Sequence, residues 1–283
     1  MTDRFDLNGK VAIVIGATKG MGATISAQFA ASGARVVVNS RNQAEAEAFA
    51  AELNREHGDG AEIAAAQAGD MTREDDLRRV ADTALAKFGK ITTLVLSPTI
   101  RPWFGSAVDM PADEIDTQFL YVFKSRFWAT RLCVPHMAKA GGGSVIYIGS
   151  GSAFEATSER SVYSCMRAAE AQMMRNFAAE FGQNNIRFNF ISPGLIDSHG
   201  AQSLFADADT VRQIVAGMPM RRHGHKSEIS NAATWLASDA SSFTTGAVVP
   251  VDGGRNLHAS PSRLTNAFAA EQAERLGTAA GTR

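Results

Sequence analysis

Short apolar runs rich in β-branched residues recur along the chain: VAIVI (11–15), ARVVVN (34–39), AEIAAA (61–66), ITTLVLS (91–97), SVIYIGS (144–150), IRFNFIS (186–192) and AVVPV (247–251). Between them lie Ala- and charge-rich segments, such as 43–57 and 73–88, whose apolar residues return every three or four positions. That interval is the spacing of one helix face. Runs that are apolar at successive positions, rather than alternating, belong to strands buried on both faces, and strands alternating with amphipathic helices build a parallel sheet covered on both sides. The pattern predicts an α/β protein: one domain over residues 1–254, a doubly wound parallel sheet of about seven strands with helices on both faces. No Pro/Gly/Ser-rich linker divides that span. Residues 255–283 read as a polar C-terminal tail, with one amphipathic stretch from Ser262 to Leu276 whose helical spacing suits packing on the domain or on a partner subunit.

Composition narrows the partners. The chain of 283 residues is 45% apolar and carries 28 basic against 29 acidic residues, a net charge of −1. Such a balance offers nothing to attract nucleic acid or an anionic membrane. The N-terminus, MTDRFDLNGK, is polar where a signal peptide needs an apolar core, and no apolar run approaches the ~18 residues of a membrane span. The expectation is a cytoplasmic protein acting on a small molecule, with Cys133 and Cys165 as thiols in a reducing compartment. His223 and His225 have no acidic or Cys partner at ligand spacing, so no metal is expected.

The first strand runs directly into Gly16-Ala17-Thr18-Lys19-Gly20-Met21-Gly22 and then into the helical ATISAQFAASG. Glycines in a strand-to-helix turn let the backbone approach a pyrophosphate, while the helix N-terminus offers N–H groups and a partial positive charge. A Rossmann-type dinucleotide site is therefore expected at residues 16, 18, 19, 20, 21 and 22. A site for NAD places an acidic residue at the end of the second strand to hold the ribose 2′-OH, whereas a 2′-phosphate wants cations. Here that strand ends in Ser40 and Arg41, and Lys19 sits in the glycine loop, so NADP(H) is preferred over NAD(H).

At this point the sequence resembles the short-chain dehydrogenase/reductase family over about residues 7–254. The likeness is carried by GATKGMG, Gly69-Asp70, GGSVIYIGS, the spacing of Ser150 and Tyr163, Ser192-Pro193-Gly194, and SEISNAATWLASDASSFTTGAVVPVDGG. It implies that Asp70 contacts the adenine, with Met71 beside it in the cofactor site, that Pro193, Gly194 and Ile196 face the nicotinamide, and that Ser150 and Tyr163 are catalytic. A homotetramer or homodimer is implied as well. The chemistry of the residues agrees: a tyrosine with an ordinary pKa near ~10 is a poor acid or base at neutral pH until a cation lowers it. Arg167, four positions on along a helix, shares a face with Tyr163.

Three departures surround this site. The family's lysine is Arg167, its Asn-Asn-Ala-Gly after the fourth strand reads Leu96-Ser97-Pro98-Thr99, and its catalytic asparagine aligns with Val122. Arginine can hold ribose hydroxyls and lower the tyrosine pKa, but it keeps its proton at any working pH and cannot pass one on. A Ser, Tyr, Arg set also resembles halohydrin dehalogenases, which need no nicotinamide and carry an aromatic residue at the place of Gly20. A catalytically silent NADP-binding protein is a third reading. Retention of Lys19, Gly20, Arg41 and Asp70 favours the oxidoreductase, interconverting a carbonyl and an alcohol. Trp103, Phe104 and Phe154 are expected to line an apolar pocket for a bulky hydrophobic substrate, with Leu204 and Phe205 closing over it.

Overall fold

The computed structural model describes residues 5–98, 100, 102–156, 158–198, 201–257 and 275–276. Thr99 and residues 258–274 and 277–283, nearly all of the expected tail, lie outside the described residues; Arg275 and Leu276 are helical.

Seven strands form one sheet: β1 (Val11–Ile15), β2 (Arg35–Ser40), β3 (Ala64–Ala68), β4 (Thr93–Leu96), β5 (Gly143–Ile148), β6 (Ile186–Pro193) and β9 (Val248–Val251). They lie in the order β3-β2-β1-β4-β5-β6-β9, every pair parallel. Parallel neighbours require crossovers, and helices supply them: α1 (Gly20–Ala31), α2 (Gln43–His57), α3 (Glu74–Phe88), α4 (Ala112–Phe119), α5 (Ser125–Lys139) and α6 (Ser161–Phe181), followed after β6 by α7 (Gln202–Phe205), α8 (Ala208–Ala216) and α9 (Lys226–Ala237). A π-helical turn, Leu120–Lys124, joins α4 to α5. Two short strands, β7 (Ile196–Asp197) and β8 (Gly224–His225), pair in parallel beyond β6, and no run of apolar residues announces them.

Alternation along the strands divides the core. Val11, Ile13 and Ile15 pack with Leu77, Phe88, Met137 and Phe177 under α3, α5 and α6. Ala12 and Val14 point the other way, to Ile25, Phe29, Leu53 and Leu236 under α1, α2 and α9. Both faces are dry, which is why β1 is buried at all five positions and shows no polar alternation. No helix among the described residues is long and apolar enough to cross a membrane.

The third strand begins later than its apolar run predicts, at Ala64 instead of 61. Its register is set from outside: the Asn54 carboxamide of α2 accepts from the N–H groups of Ile63 and Ala64, both at 2.8 Å, and donates to the Ala64 carbonyl at 2.9 Å. These bonds fix the chain at Ile63 and Ala64, 61–63 stay outside the strand, and pairing with β2 starts at Val36 opposite Ala64. Strand order reverses between β1 and β4, so the loops after these two strands diverge and open a crevice at their carboxyl ends.

Asn54→Ala removes three bonds to backbone at a sheet edge of small side chains. It is expected to lower the unfolding free energy by ~1–3 kcal/mol, read from chemical denaturation, with hydrogen exchange fastest in β3.

Candidate active site

The crevice is a cleft of ≈ 1150 Å³ running across the carboxyl edge of the sheet. One end is the turn between β1 and α1. Gly16 has φ +74°, and a Cβ there would come within 2.9 Å of the Pro98 ring. Gly22 faces inward, where a Cβ would fall 2.0 Å from the Gly16 carbonyl oxygen. The turn is therefore wound too tightly for side chains at these positions, leaving its outer surface as bare backbone. The N-cap of α1, Lys19, contributes no side-chain capping bond. A glycine-lined backbone at a helix N-terminus is a cradle that fits the pyrophosphate of a dinucleotide. Gly16, Thr18, Lys19, Gly20 and Met21 line the cleft, while Gly22 packs beneath it.

Three side chains that the sequence did not single out brace this end. Asn39 accepts from Gly16 N–H at 3.4 Å and donates to the carbonyls of Gln67 and Gly69, each at 3.1 Å, tying together the chain ends after β1, β2 and β3. Asp76 accepts from the Asp70 N–H at 2.9 Å and from Arg79 at 2.7 Å. The Asp70 N–H, opposed by burial and aided by Arg79, holds the Asp76 carboxyl below the usual carboxylate range. Asp70 itself accepts from the Thr72 N–H and hydroxyl, and Asp70 and Met71 both reach the cleft. The third is Glu45, in the first turn of α2. It meets Lys19 at 3.0 Å and accepts from the Ser40 hydroxyl at 3.5 Å, on the stretch of wall shared with Ser40 and Arg41.

The other end of the cleft is built from the ends of β4, β5 and β6 and the start of α6. Ser150 follows β5, and its Oγ accepts from the Ser152 N–H at 3.2 Å. Tyr163, in the first turn of α6, is 7% exposed and lines the cleft. One turn on, the guanidinium carbon of Arg167 lies 5.1 Å from the centre of the Tyr163 ring, and the guanidinium donates to the phenol oxygen. Burial lowers the Arg167 pKa, but the charges of Tyr163 and Glu170 outweigh it and leave the group raised. Glu170, one turn further along α6, and Arg126, on α5, complete a buried charge cluster with Arg167. Neither is flagged by sequence reasoning, although the i, i+3 spacing of Arg167 and Glu170 on α6 was a readable signal. Val122 is buried in the π turn, away from the cleft, while its neighbour Tyr121 lines it. Pro193, Gly194 and Ile196 form the wall after β6; a Cβ on Gly194 would strike the Asp252 backbone at 2.5 Å.

The outer cleft departs from expectation at three positions. Phe104 and Leu204 line it, together with Ile100, Pro102 and Ile214, but Trp103, Phe154 and Phe205 do not. The Trp103 ring packs over Gly105, Phe154 sits edge-on to Phe190 at 5.8 Å, and Phe205 sits edge-on to His223 at 5.0 Å. Of the two neighbouring aromatics only Phe104 turns to the cleft, because the Trp103 ring is taken up by Gly105. His225 caps α9 by accepting from the Ser227 N–H, a structural use of the His-Gly-His stretch.

A family model described as Enoyl-(Acyl carrier protein) reductase matches residues 16–256. A Caenorhabditis elegans protein named dehydrogenase/reductase SDR family member 4 is 34% identical over 249 residues, 87% of this chain and 95% of that one. Among solved structures, a 7α-hydroxysteroid dehydrogenase complexed with NADH and 7-oxo glycochenodeoxycholic acid superposes with a TM-score of 0.81 at 33% identity, over 90% of this chain and 97% of that one. A gluconate 5-dehydrogenase from Burkholderia cenocepacia J2315, in complex with NADP and tartrate, gives 0.84 at 27% identity, over 90% and 98%.

Asp76→Ala leaves the Asp70 N–H without its carboxylate and is expected to cost ~1–3 kcal/mol at pH 7. The folded-state pKa of Asp76 is lowered, so its contribution is full above the unfolded value near ~3.9 and is lost as pH falls through the folded value. The stabilities of wild type and variant should converge below the folded-state pKa, draw apart as pH rises toward ~4, and keep a constant separation above it.

Proposed function

The chain belongs to the short-chain dehydrogenase/reductase family, and we propose that it is an NADP(H)-dependent oxidoreductase interconverting a carbonyl and an alcohol on a bulky, hydrophobic small molecule. The observation that carries the reading is Tyr163 on the wall of the same cleft as the glycine turn, with a buried arginine held against its phenol. When bound, the nicotinamide supplies or accepts the hydride. Pro193, Gly194 and Ile196 would hold one side of that ring, and the backbone of 16–21 the pyrophosphate. Ser150 Oγ already accepts from the Ser152 N–H, so its own O–H remains to donate to the substrate oxygen. Tyr163 Oη gives its proton to that oxygen in reduction and takes it back in oxidation. Arg167 stabilises the phenolate but keeps its own proton, so the phenol exchanges with water in the cleft.

Lys19, Ser40 and Arg41 support the preference for NADP(H), two of them cationic where a 2′-phosphate would lie. Glu45 opposes it by neutralising Lys19. For the substrate, Ile100, Pro102, Phe104, Tyr121, Leu204 and Ile214 give an apolar wall, with Arg160 and Arg255 also on the lining. A steroid-like ketone, of the kind bound in the 7α-hydroxysteroid dehydrogenase complex, suits such a wall. Exposed Phe119, Phe127 and Phe243 support self-association as a homodimer or homotetramer.

Calorimetry or nucleotide fluorescence should give tighter binding of NADPH than NADH. Tyr163→Phe is expected to lower turnover of hydroxysteroids or bulky ketones by ~10²–10⁴-fold with NADPH affinity within about threefold of wild type. Absence of binding by either nucleotide, with turnover of a vicinal haloalcohol, would sink the redox reading. In Glu45→Gln, Lys19 is released and a like charge is removed from the 2′ position. NADPH affinity should rise ~3- to 10-fold, while NADH affinity stays level or falls.

A further inference from the structure

Behind Tyr163 three ionised side chains meet out of reach of solvent. Arg126 and Glu170 are 0% exposed and Arg167 is 1% exposed. Glu170 Oε1 lies 2.6 Å from Nη1 of Arg126, and Oε2 lies 2.7 Å from Nη1 of Arg167. Arg126 also donates to the carbonyls of Leu96 at 2.9 Å, Ile148 at 3.4 Å and Pro98, and Arg167 donates to the Ile148 carbonyl at 3.5 Å. Two guanidiniums against one carboxylate leave a single positive charge in the interior.

Stability alone does not account for such a triad. Desolvating three ions is costly, and well-packed apolar side chains of similar volume hold a core as well or better. What distinguishes this place is its neighbour, the Tyr163 phenol, which receives a hydrogen bond from one member of the cluster.

We infer that Arg126 and Glu170 are positioning residues for Tyr163: Glu170 clamps Arg167 against the phenol, and Arg126 supplies the second cation that keeps the cluster positive. The inference rests on the oxidoreductase reading for the catalytic role of Tyr163, and it deepens that reading. An Arg167–Glu170 pair by itself would be neutral, and Glu170 would offset part of the field of Arg167 at the phenol. Arg126 restores the net charge from the opposite helix, in surroundings where salt does not screen it. Burial and repulsion from Arg167 pull Arg126 down to about 10, still far above neutrality, so both arginines are charged at working pH. Other titratable groups around the site are Tyr147 on β5, Tyr121 of the π turn, and Glu155, Arg160 and Arg255 on the cleft wall. Tyr147 is bonded to the Thr130 hydroxyl at 2.7 Å, and burial pushes its pKa up.

The chain has 3 tyrosines, which makes a direct titration feasible without nucleotide or substrate. Tyrosinate absorbance is followed with pH, each protein being read as the difference from its own Tyr163→Phe counterpart. Wild type should titrate below the ordinary ~10. Arg126→Met should raise the midpoint by about one pH unit, tenfold in acidity, and Glu170→Gln should lower it by a similar amount. Arg126→Lys should restore the wild-type value. A merely structural role would move Arg126→Met and Glu170→Gln the same way or not at all. Either of those results, or a wild-type midpoint at or above ~10, overturns the inference. If a variant does not fold, the wild-type midpoint and its indifference to added salt decide, because a salt-sensitive midpoint would assign the effect to the half-buried Arg160 on the solvent-open cleft wall instead. Loss of NADPH binding with the titration as expected removes the redox reading alone, whereas NADPH-dependent turnover with a failed titration removes this inference alone.

Discussion

Seven parallel strands all end at one edge, and a parallel ladder leaves carbonyls at that edge with no strand to receive them. Much of what surrounds the cleft answers this constraint. The last residues of β4 and β5, Leu96 and Ile148, present their carbonyls to Arg126, which also takes that of Pro98. One side chain from α5 thus satisfies the split between the central strands and holds the loop after β4 in place. A guanidinium suits the task because its five donors form a rigid fork. Its charge then has to be met in a dry interior, and Glu170 meets it.

From that requirement the rest of the reacting end follows. Glu170 can face Arg126 only from α6, and one turn earlier on the same helix face stands Arg167, one turn before that Tyr163. The phenol therefore lies at the end of a chain of contacts that starts with unpaired backbone oxygens. Arginine in place of lysine fits the arrangement: a guanidinium can donate to the phenol, to Glu170 and to the Ile148 carbonyl together, which a single ammonium on a flexible stem does less well. What is given up is a side chain able to release its proton, and Val122 adds no polar group to compensate.

The nucleotide end solves the same edge problem with neutral and acidic groups. Asn39 spans the chain ends after β1, β2 and β3, and Asp76 fixes the backbone at Asp70. Asp76 acts under the cleft surface, while Asn39 is part of the lining with its carboxamide already bonded to backbone. Glu45 is the exception, an acid on the wall that pairs with Lys19 beside Ser40 and Arg41.

Local pattern carried much of this. Both-face burial makes β1, β2, β4, β5 and β6 visible as apolar runs, β9 is visible from its β-branched residues although it is only half-buried, and the turn at Gly16 and Gly22 and the helical spacing of Tyr163 and Arg167 are short-range features that a linear reading recovers. The start of β3 is not legible in the sequence, because alanines mark burial weakly and its register comes from Asn54 on another element. Trp103, Phe154 and Phe205 turn away from the cleft, since sequence shows that a side chain is aromatic and not which way it points. Arg126, Glu170, Asn39 and Asp76 escaped notice for one common reason. Taken singly along the chain each is an ordinary polar residue, and its meaning arises only where folding brings it to unpaired backbone or to another charge in a place without water. Local spacing is enough to dictate a parallel sheet, a glycine turn and a Tyr-Arg pair on one helix face; which charges lie buried around that pair is set by packing, because burial is a property of the assembled layers and not of any segment.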